Sequence, residues 1–224
     1  MTFSLVARCA ETGMFGVGVS SSSPCVAARC AYARAGVGAV ASQNVTDPTL
    51  GARGLDLMAM GASASEAVAI LRATGTFPEY RQVLAVDRHG AAAIGSGEQI
   101  LGTWAQAIAP DVAAAGNLLA NDTVPQVMVD AFLRTSGPLG DRLMTAMRAA
   151  LSAGGEAGPV RSAGMRLVDQ VSWPVADLRV DWAEGCPIED LGKVWDVYKP
   201  QMADYVTRAL NPEAAPSYGV PGDD

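Results

Sequence analysis

The feature that most constrains this chain is its opening: an alternating run, a tight turn, and a second run that returns along the first. In Thr2–Cys9, the residues Thr2, Ser4, Val6 and Arg8 share one face and Phe3, Leu5, Ala7 and Cys9 share the other. That is the two-residue period of a strand. Ala10-Glu11-Thr12-Gly13 reads as a turn, and Phe15–Ser22 as the returning strand, with glycines at 16 and 18. A turn centred on Glu11-Thr12 sets Cys9 opposite Met14, Ser4 opposite Val19 and Thr2 opposite Ser21, whether the loop has two residues or four. Directly opposed side chains lie about 5 Å apart at Cβ, so Ser21 is predicted beside Thr2. Ser20 or Ser22 takes that place if the strand carries a bulge. Ser4 lies on the face of Thr2, one step along; Arg8 shares that face but roughly 20 Å away. The plain alternative for Ser20–Ser23 is a strand that ends and runs into a loop.

The rest of the chain alternates between hairpins and helix pairs. Val37–Gln43 reads as a third strand. Leu55–Met60 and Ser63–Ala73 read as helices, with Ser63 and Glu66 forming a capping box. Gln82–Asp87 and Ala91–Gly95 form a second hairpin across Arg88-His89-Gly90. Val124–Arg134 and Leu139–Ser152 read as helices, and Ala163–Val168 and Val175–Asp181 as strands. Pro187–Leu210 reads as a long helix broken or kinked at Pro200. From Asn211 the chain turns rich in Pro, Gly and Asp and reads as a frayed tail. Strands in hairpin runs, rather than in strict βαβ alternation, favour antiparallel sheets covered by helices, an α+β fold. The length suits one domain over residues 1–210 followed by a flexible tail, 211–224.

Composition narrows the function. Charged residues make up 17% of the chain, below the about 25% of ordinary soluble domains, and the mean hydropathy is +0.19. Surface buried in a homo-oligomer and an alanine- and glycine-rich globule both fit. A net charge of −7 with no basic run argues against a nucleic-acid partner. The apolar runs are too short and too glycine-rich to span a bilayer, and the N-terminus lacks the parts of a signal peptide, so no membrane partner and a cytoplasmic location are expected. Cys9, Cys25, Cys30 and Cys186 show no CxxC and no zinc spacing. They read as buried free thiols, with no metal site and no disulfide. The Gly-Val-Gly runs at 16–18 and 36–38 have no following helix in place to hold a dinucleotide, and no cofactor is expected. The four tryptophans read as core or interface.

The single histidine, His89, lies in a turn, so a Ser-His-Asp triad or a multi-histidine metal site is hard to build. Thr2 offers a cheaper chemistry. It is small, so removal of Met1 by an aminopeptidase is expected, which leaves a hydroxyl and a free α-amine on one residue. An N-terminal threonine can be nucleophile and base together, because an α-amine titrates near about 7.7–8.0 and is partly neutral at neutral pH.

The run TFSLVARCAETGMFGVGVSSSS, then ARAGVGAVASQNVTDPTLGARGLDLM, resembles the DUF1028 family, a family grouped with the N-terminal-nucleophile (Ntn) hydrolases. The likeness continues through Arg81-Gln82, Gly116-Asn117-Leu118, Gly154-Gly155 and Asp177-Leu178-Arg179-Val180. It implies an Ntn-hydrolase-like αββα four-layer sandwich with antiparallel sheets, a homodimer or higher oligomer, and amide hydrolysis by the N-terminal residue. By position, it implies Thr2 as nucleophile, Ser21 orienting the amine, Ser42-Gln43 bordering the site, and Asn117 in the family's Gly-Asn-hydrophobe run. The chain departs from the family pattern at Gly95-Ser96-Gly97, at Ala115, at Gly154-Gly155-Glu156 with Gly158, and at Arg161-Ser162.

Taken together, the expected activity is an amidohydrolase acting on a small amide or short peptide. Thr2, Ser21, Gln43 and Asn117 form the catalytic set, the amides of Gln43 and Asn117 or a backbone N–H being the oxyanion donors. Ser4, Ser20, Ser96 and Arg161 are expected to bind substrate, Arg161 by gripping a carboxylate in two-point fashion. A surface arginine is the alternative there, as is a solvated loop for Glu98. The competing function is a non-catalytic binding or assembly protein on the same scaffold.

Overall fold

In the computed structural model, which describes residues 1–220, two antiparallel sheets lie face to face and helices cover both outer faces. The larger sheet has six strands: β1 (Thr2–Arg8), β2 (Phe15–Ser21), β7 (Ala105–Ala109), β8 (Val112–Asn117), β9 (Ser162–Val168) and β10 (Ala176–Val180). Their order is β10-β9-β2-β1-β8-β7. The smaller sheet, β3-β4-β5-β6, is built from β3 (Ala31–Arg34), β4 (Gly38–Asn44), β5 (Arg81–Asp87) and β6 (Ala92–Ser96). A short helix, α1 (Ala27–Cys30), precedes β3. Helices α2 (Thr49–Ala59) and α3 (Ala64–Thr74) pack on the smaller sheet. Helices α4 (Val124–Arg134), α5 (Leu139–Ser152) and α6 (Pro187–Tyr198) pack on the larger one.

The two-residue period of the first hairpin sorts its side chains as expected. Phe3, Leu5 and Ala7 enter the core under the helices, whereas Val6 joins Val17, Val19, Ala39, Ala41, Leu84 and Val86 between the sheets. Ser4 pairs with Val19 and Phe3 with Ser20, the expected register. The glycines of β2 bring α5 close. A Cβ on Gly18 would lie 2.9 Å from Met147 Sδ and 2.9 Å from Leu5. Gly18→Ala is therefore expected to destabilise by about 1–3 kcal/mol, measured by chemical denaturation. At α3, Ser63 and Glu66 form the expected capping box; Ser63→Ala is expected to cost about 1 kcal/mol by the same assay.

Several expectations need correction. The stretch before Asn117 forms the hairpin β7–β8, although its alanine-rich sequence carries little strand preference. Its place inside the larger sheet decides it, since β8 is paired with β1 on one side and with β7 on the other. Likewise β3 is a short alanine-bearing strand, and α2 begins at Thr49, six residues before the expected start. Helix 187–210 is broken at Pro200 as expected, by a 3-10 turn at Lys199–Gln201, and continues as α7 (Met202–Leu210). The expected tail begins with a 3-10 turn at Pro212–Ala214, and residues 221–224 lie outside the described residues. Only Cys9 and Cys30 are buried; Cys25 is exposed in a turn and Cys186 half-buried. Of the tryptophans, Trp195 is core, but Trp104, Trp173 and Trp182 are exposed.

Candidate active site

The layer between the sheets is aliphatic along most of its length and turns polar at one end. Thr2, Ser4, Ser21, Gln43, Gln82 and Asn117 are all buried, and the strand period puts each on the same inward face as the aliphatic residues Val6, Val19, Ala41, Leu84 and Ala115. Six buried polar side chains at one end of an otherwise apolar layer each need a partner or a purpose.

Thr2 stands at the start of β1 with β2 on one side and β8 on the other. Its Oγ1 lies 3.3 Å from Ser21 Oγ, and Asn117 is its paired residue on β8. Thr2 Oγ1 has one proton and two acceptors in reach, Ser21 Oγ and the carbonyl oxygen of Met1. Ser21 Oγ also donates to the Met1 carbonyl and accepts from Ser23 N at 3.0 Å. The two hydroxyls thus converge on one carbonyl. Asn117 is 1% exposed, and neither its Oδ1 nor its Nδ2 has a hydrogen-bond partner among the described residues. The next residue, Leu118, holds a left-handed backbone at φ +51, a conformation that a leucine adopts only when its surroundings enforce it.

Behind Thr2 a chain of hydrogen bonds links the sheets. Ser4 Oγ donates to Gln43 Oε1 at 2.6 Å, Gln43 Nε2 to Gln82 Oε1 at 2.7 Å, and Gln82 Nε2 to Ser96 Oγ at 3.1 Å. Ser96 Oγ then donates to Gln106 Oε1 at 2.9 Å. This chain fixes the amide of Gln43, whose Oε1 accepts from Ser4 and whose NH2 group donates to Gln82. Ser96 stands three hydrogen bonds from Ser4 along this chain, which ends at Gln106.

Other expected residues point elsewhere. Ser20 faces the helices and donates to Ser162 O at 3.0 Å. Ser42 Oγ donates to Asp47 O at 3.2 Å, on the outer face of β4. Arg161 is tied to Ser21 by its backbone, its N–H donating to Ser21 O at 2.8 Å, but its guanidinium grips the carbonyls of Ala183 and Glu184 and the Glu184 carboxylate. Glu98 is exposed on a surface cleft with Arg72 and Glu79.

Three residues beside this region were without a role in the sequence: Gln82, Gln106 and Glu156. Gln82 carried a readable signal, a lone amide in phase with Leu84 and Val86. Glu156 is 4% exposed, and both its oxygens accept from one donor, Ser22 N, at 3.2 and 3.1 Å. Burial pushes its carboxyl up to about 7, against the opposing pull of the Met1 α-ammonium and the hydrogen bond from Ser22. Among the described residues no group of three His, Cys, Asp or Glu side chains could hold a metal ion, and no helix is long and apolar enough to cross a membrane.

The chain matches the model of a family described as "Family of unknown function (DUF1028)" over residues 2–191. It belongs to the DUF1028 family. A solved DUF1028 structure, protein SPO2555 from Silicibacter pomeroyi, is 27% identical, with 91% of this chain and 92% of that one covered at a TM-score of 0.83. The fold described above is therefore shared by another DUF1028 protein. Anbu (ancestral beta-subunit) from Yersinia bercovieri aligns over 92% of this chain and 97% of its own at 11% identity and a TM-score of 0.41, too distant to carry an argument. No curated protein matches this DUF1028 chain.

Proposed function

We propose that this DUF1028 protein is an Ntn-type amidohydrolase in which Thr2, freed by removal of Met1, cleaves a small amide or short peptide. The observation that carries this reading is the convergence of the Thr2 and Ser21 hydroxyls on one carbonyl, with the unpartnered amide of Asn117 on the adjoining strand. Thr2 Oγ1 attacks the substrate carbonyl carbon while its proton passes to the Thr2 α-amine, directly or through one water. Asn117 Nδ2 donates to the oxyanion. The C–N bond breaks as the amine returns the proton to the leaving nitrogen. Water then hydrolyses the acyl-threonine ester and restores the hydroxyl. Ser21 orients the hydroxyl and amine, and Ser4, held by Gln43, fixes the floor behind them.

A second reading, a binding or assembly protein, draws on one specific observation: with Met1 attached, the Thr2 nitrogen is an amide and Thr2 is only 6% exposed. Turnover by chain that begins at Thr2, assayed against a panel of aryl amides and dipeptides beside Thr2→Ala, separates the two. Hydrolysis that disappears in the variant supports the enzyme. Equal rates in both proteins would reject it.

A further inference from the structure

We infer that Asn44 is a positioning residue for Asn117 and acts on it through the loop 99–103. The inference rests on the reading of Thr2 as nucleophile and Asn117 as oxyanion donor. Asn117 ends β8 opposite Thr2, and no hydrogen bond from the described residues holds its amide. Its aim is therefore left to packing and to the backbone that carries it. One residue on, that backbone is forced: Leu118 holds φ +51. A left-handed leucine persists only where its neighbours over-determine it.

Those neighbours come from the loop 99–103. Leu118 N donates to Leu101 O at 2.9 Å and Leu119 N to Thr103 O at 2.9 Å. Between the two acceptors, Gly102 holds φ +62 and lies against Leu118, where a Cβ would stand 2.6 Å from Leu118 Cδ2 and 3.2 Å from its Cα. The loop has no helix or strand of its own, and Leu101, Gly102 and Thr103 are exposed, so packing alone does little to hold it. Asn44, the last residue of β4 in the other sheet, supplies the anchor. Its Oδ1 accepts from Leu101 N at 3.2 Å, and its Nδ2 donates to Tyr80 O at 2.7 Å and to Gln99 O at 3.4 Å. Leu101 is thus held on both sides, its N–H by Asn44 and its carbonyl by Leu118. Asn44 itself holds φ +72, a backbone that asparagine accepts more readily than most residues with a side chain. The relay from Asn44 through Leu101 and Leu118 to Asn117 joins the two sheets at the end where the buried polar residues gather.

The test uses chain beginning at Thr2 and the aryl amide or dipeptide that the wild type hydrolyses fastest. Asn44→Gly is the informative variant, because glycine accepts the left-handed backbone and removes the tether alone. The expected result is a kcat about 10- to 100-fold lower with KM within about twofold. In an Asn117→Ala background the same substitution should cost almost nothing further, since there is no amide left to aim. A side chain that only held the fold together would lower the rate equally in both backgrounds. Equal losses, or no loss beside Asn117, would overturn the inference and leave Thr2 catalysis standing. Amide hydrogen exchange needs no turnover. Asn44→Gly should speed exchange at the Leu118 and Leu119 N–H groups at least about 10-fold, with the β1 amides of Phe3 and Leu5 unchanged as a check on folding. Faster exchange at Leu118 and Leu119 supports the tether even where the Thr2 reading fails, and unchanged exchange rejects it.

Discussion

Replacing Thr2 with alanine is expected to lower amide hydrolysis by at least about a thousandfold while leaving the melting temperature within a few degrees of wild type. The magnitude follows from removing the proposed nucleophile; water attack assisted by the remaining donors is the residual route. The fold is expected to survive because Thr2 Oγ1 contributes little to packing. Its neighbours Phe3 and Leu5, which enter the helix-side core, carry the burial of β1. Thr2→Ser should keep a measurable rate, since it preserves the oxygen and the amine. Steady-state kinetics and circular dichroism on the same preparations check both halves. A Thr2→Ala protein with wild-type turnover would show that the nucleophile lies elsewhere.

The second large effect is on stability. Glu156 is held up to about 7, above the ordinary glutamate value of 4.5, chiefly by burial. In that window the folded chain keeps a proton that the unfolded chain has released. Stability therefore falls as pH rises from about 4.5 to about 7 and levels off above, by an amount on the order of 3 kcal/mol from this group. Glu156→Gln removes the charge, so its own profile should lack this fall. Near pH 5 or below, the two proteins should melt together; at pH 8 the variant should melt about 6–12 °C higher. A variant less stable than wild type at pH 8 would show that the carboxylate is satisfied after all.

The sequence made the first hairpin legible because period and turn together leave one register, and that register alone puts Ser21 beside Thr2. Hairpin β5–β6 and the capped helix α3 were legible for the same local reasons. The strand on the other side of Thr2 was not. Ala105–Asn117 is rich in alanine, whose local preference does not distinguish strand from loop. Its conformation is decided by a place beside β1 in the larger sheet that only tertiary packing defines. Asn117 could therefore be named from the family likeness, while its position opposite Thr2 and its lack of a partner could not. Gln43 illustrates a different limit. The two-residue period assigns its face, but the bond to Gln82 that ties up its NH2 group joins strands from distant parts of the chain. Glu156 lies in a loop without periodicity, and nothing local announces that its carboxylate reaches Ser22, distant in sequence.

The central claim is that Thr2 acts as a free N-terminal nucleophile. The most direct measurement is the intact mass of untagged protein from its native host, before and after treatment with a β-lactone that acylates nucleophilic hydroxyls. The account predicts a starting mass lighter by one methionine and a single adduct that maps to the peptide beginning at Thr2. A mass that retains Met1, with no adduct on Thr2, would contradict it.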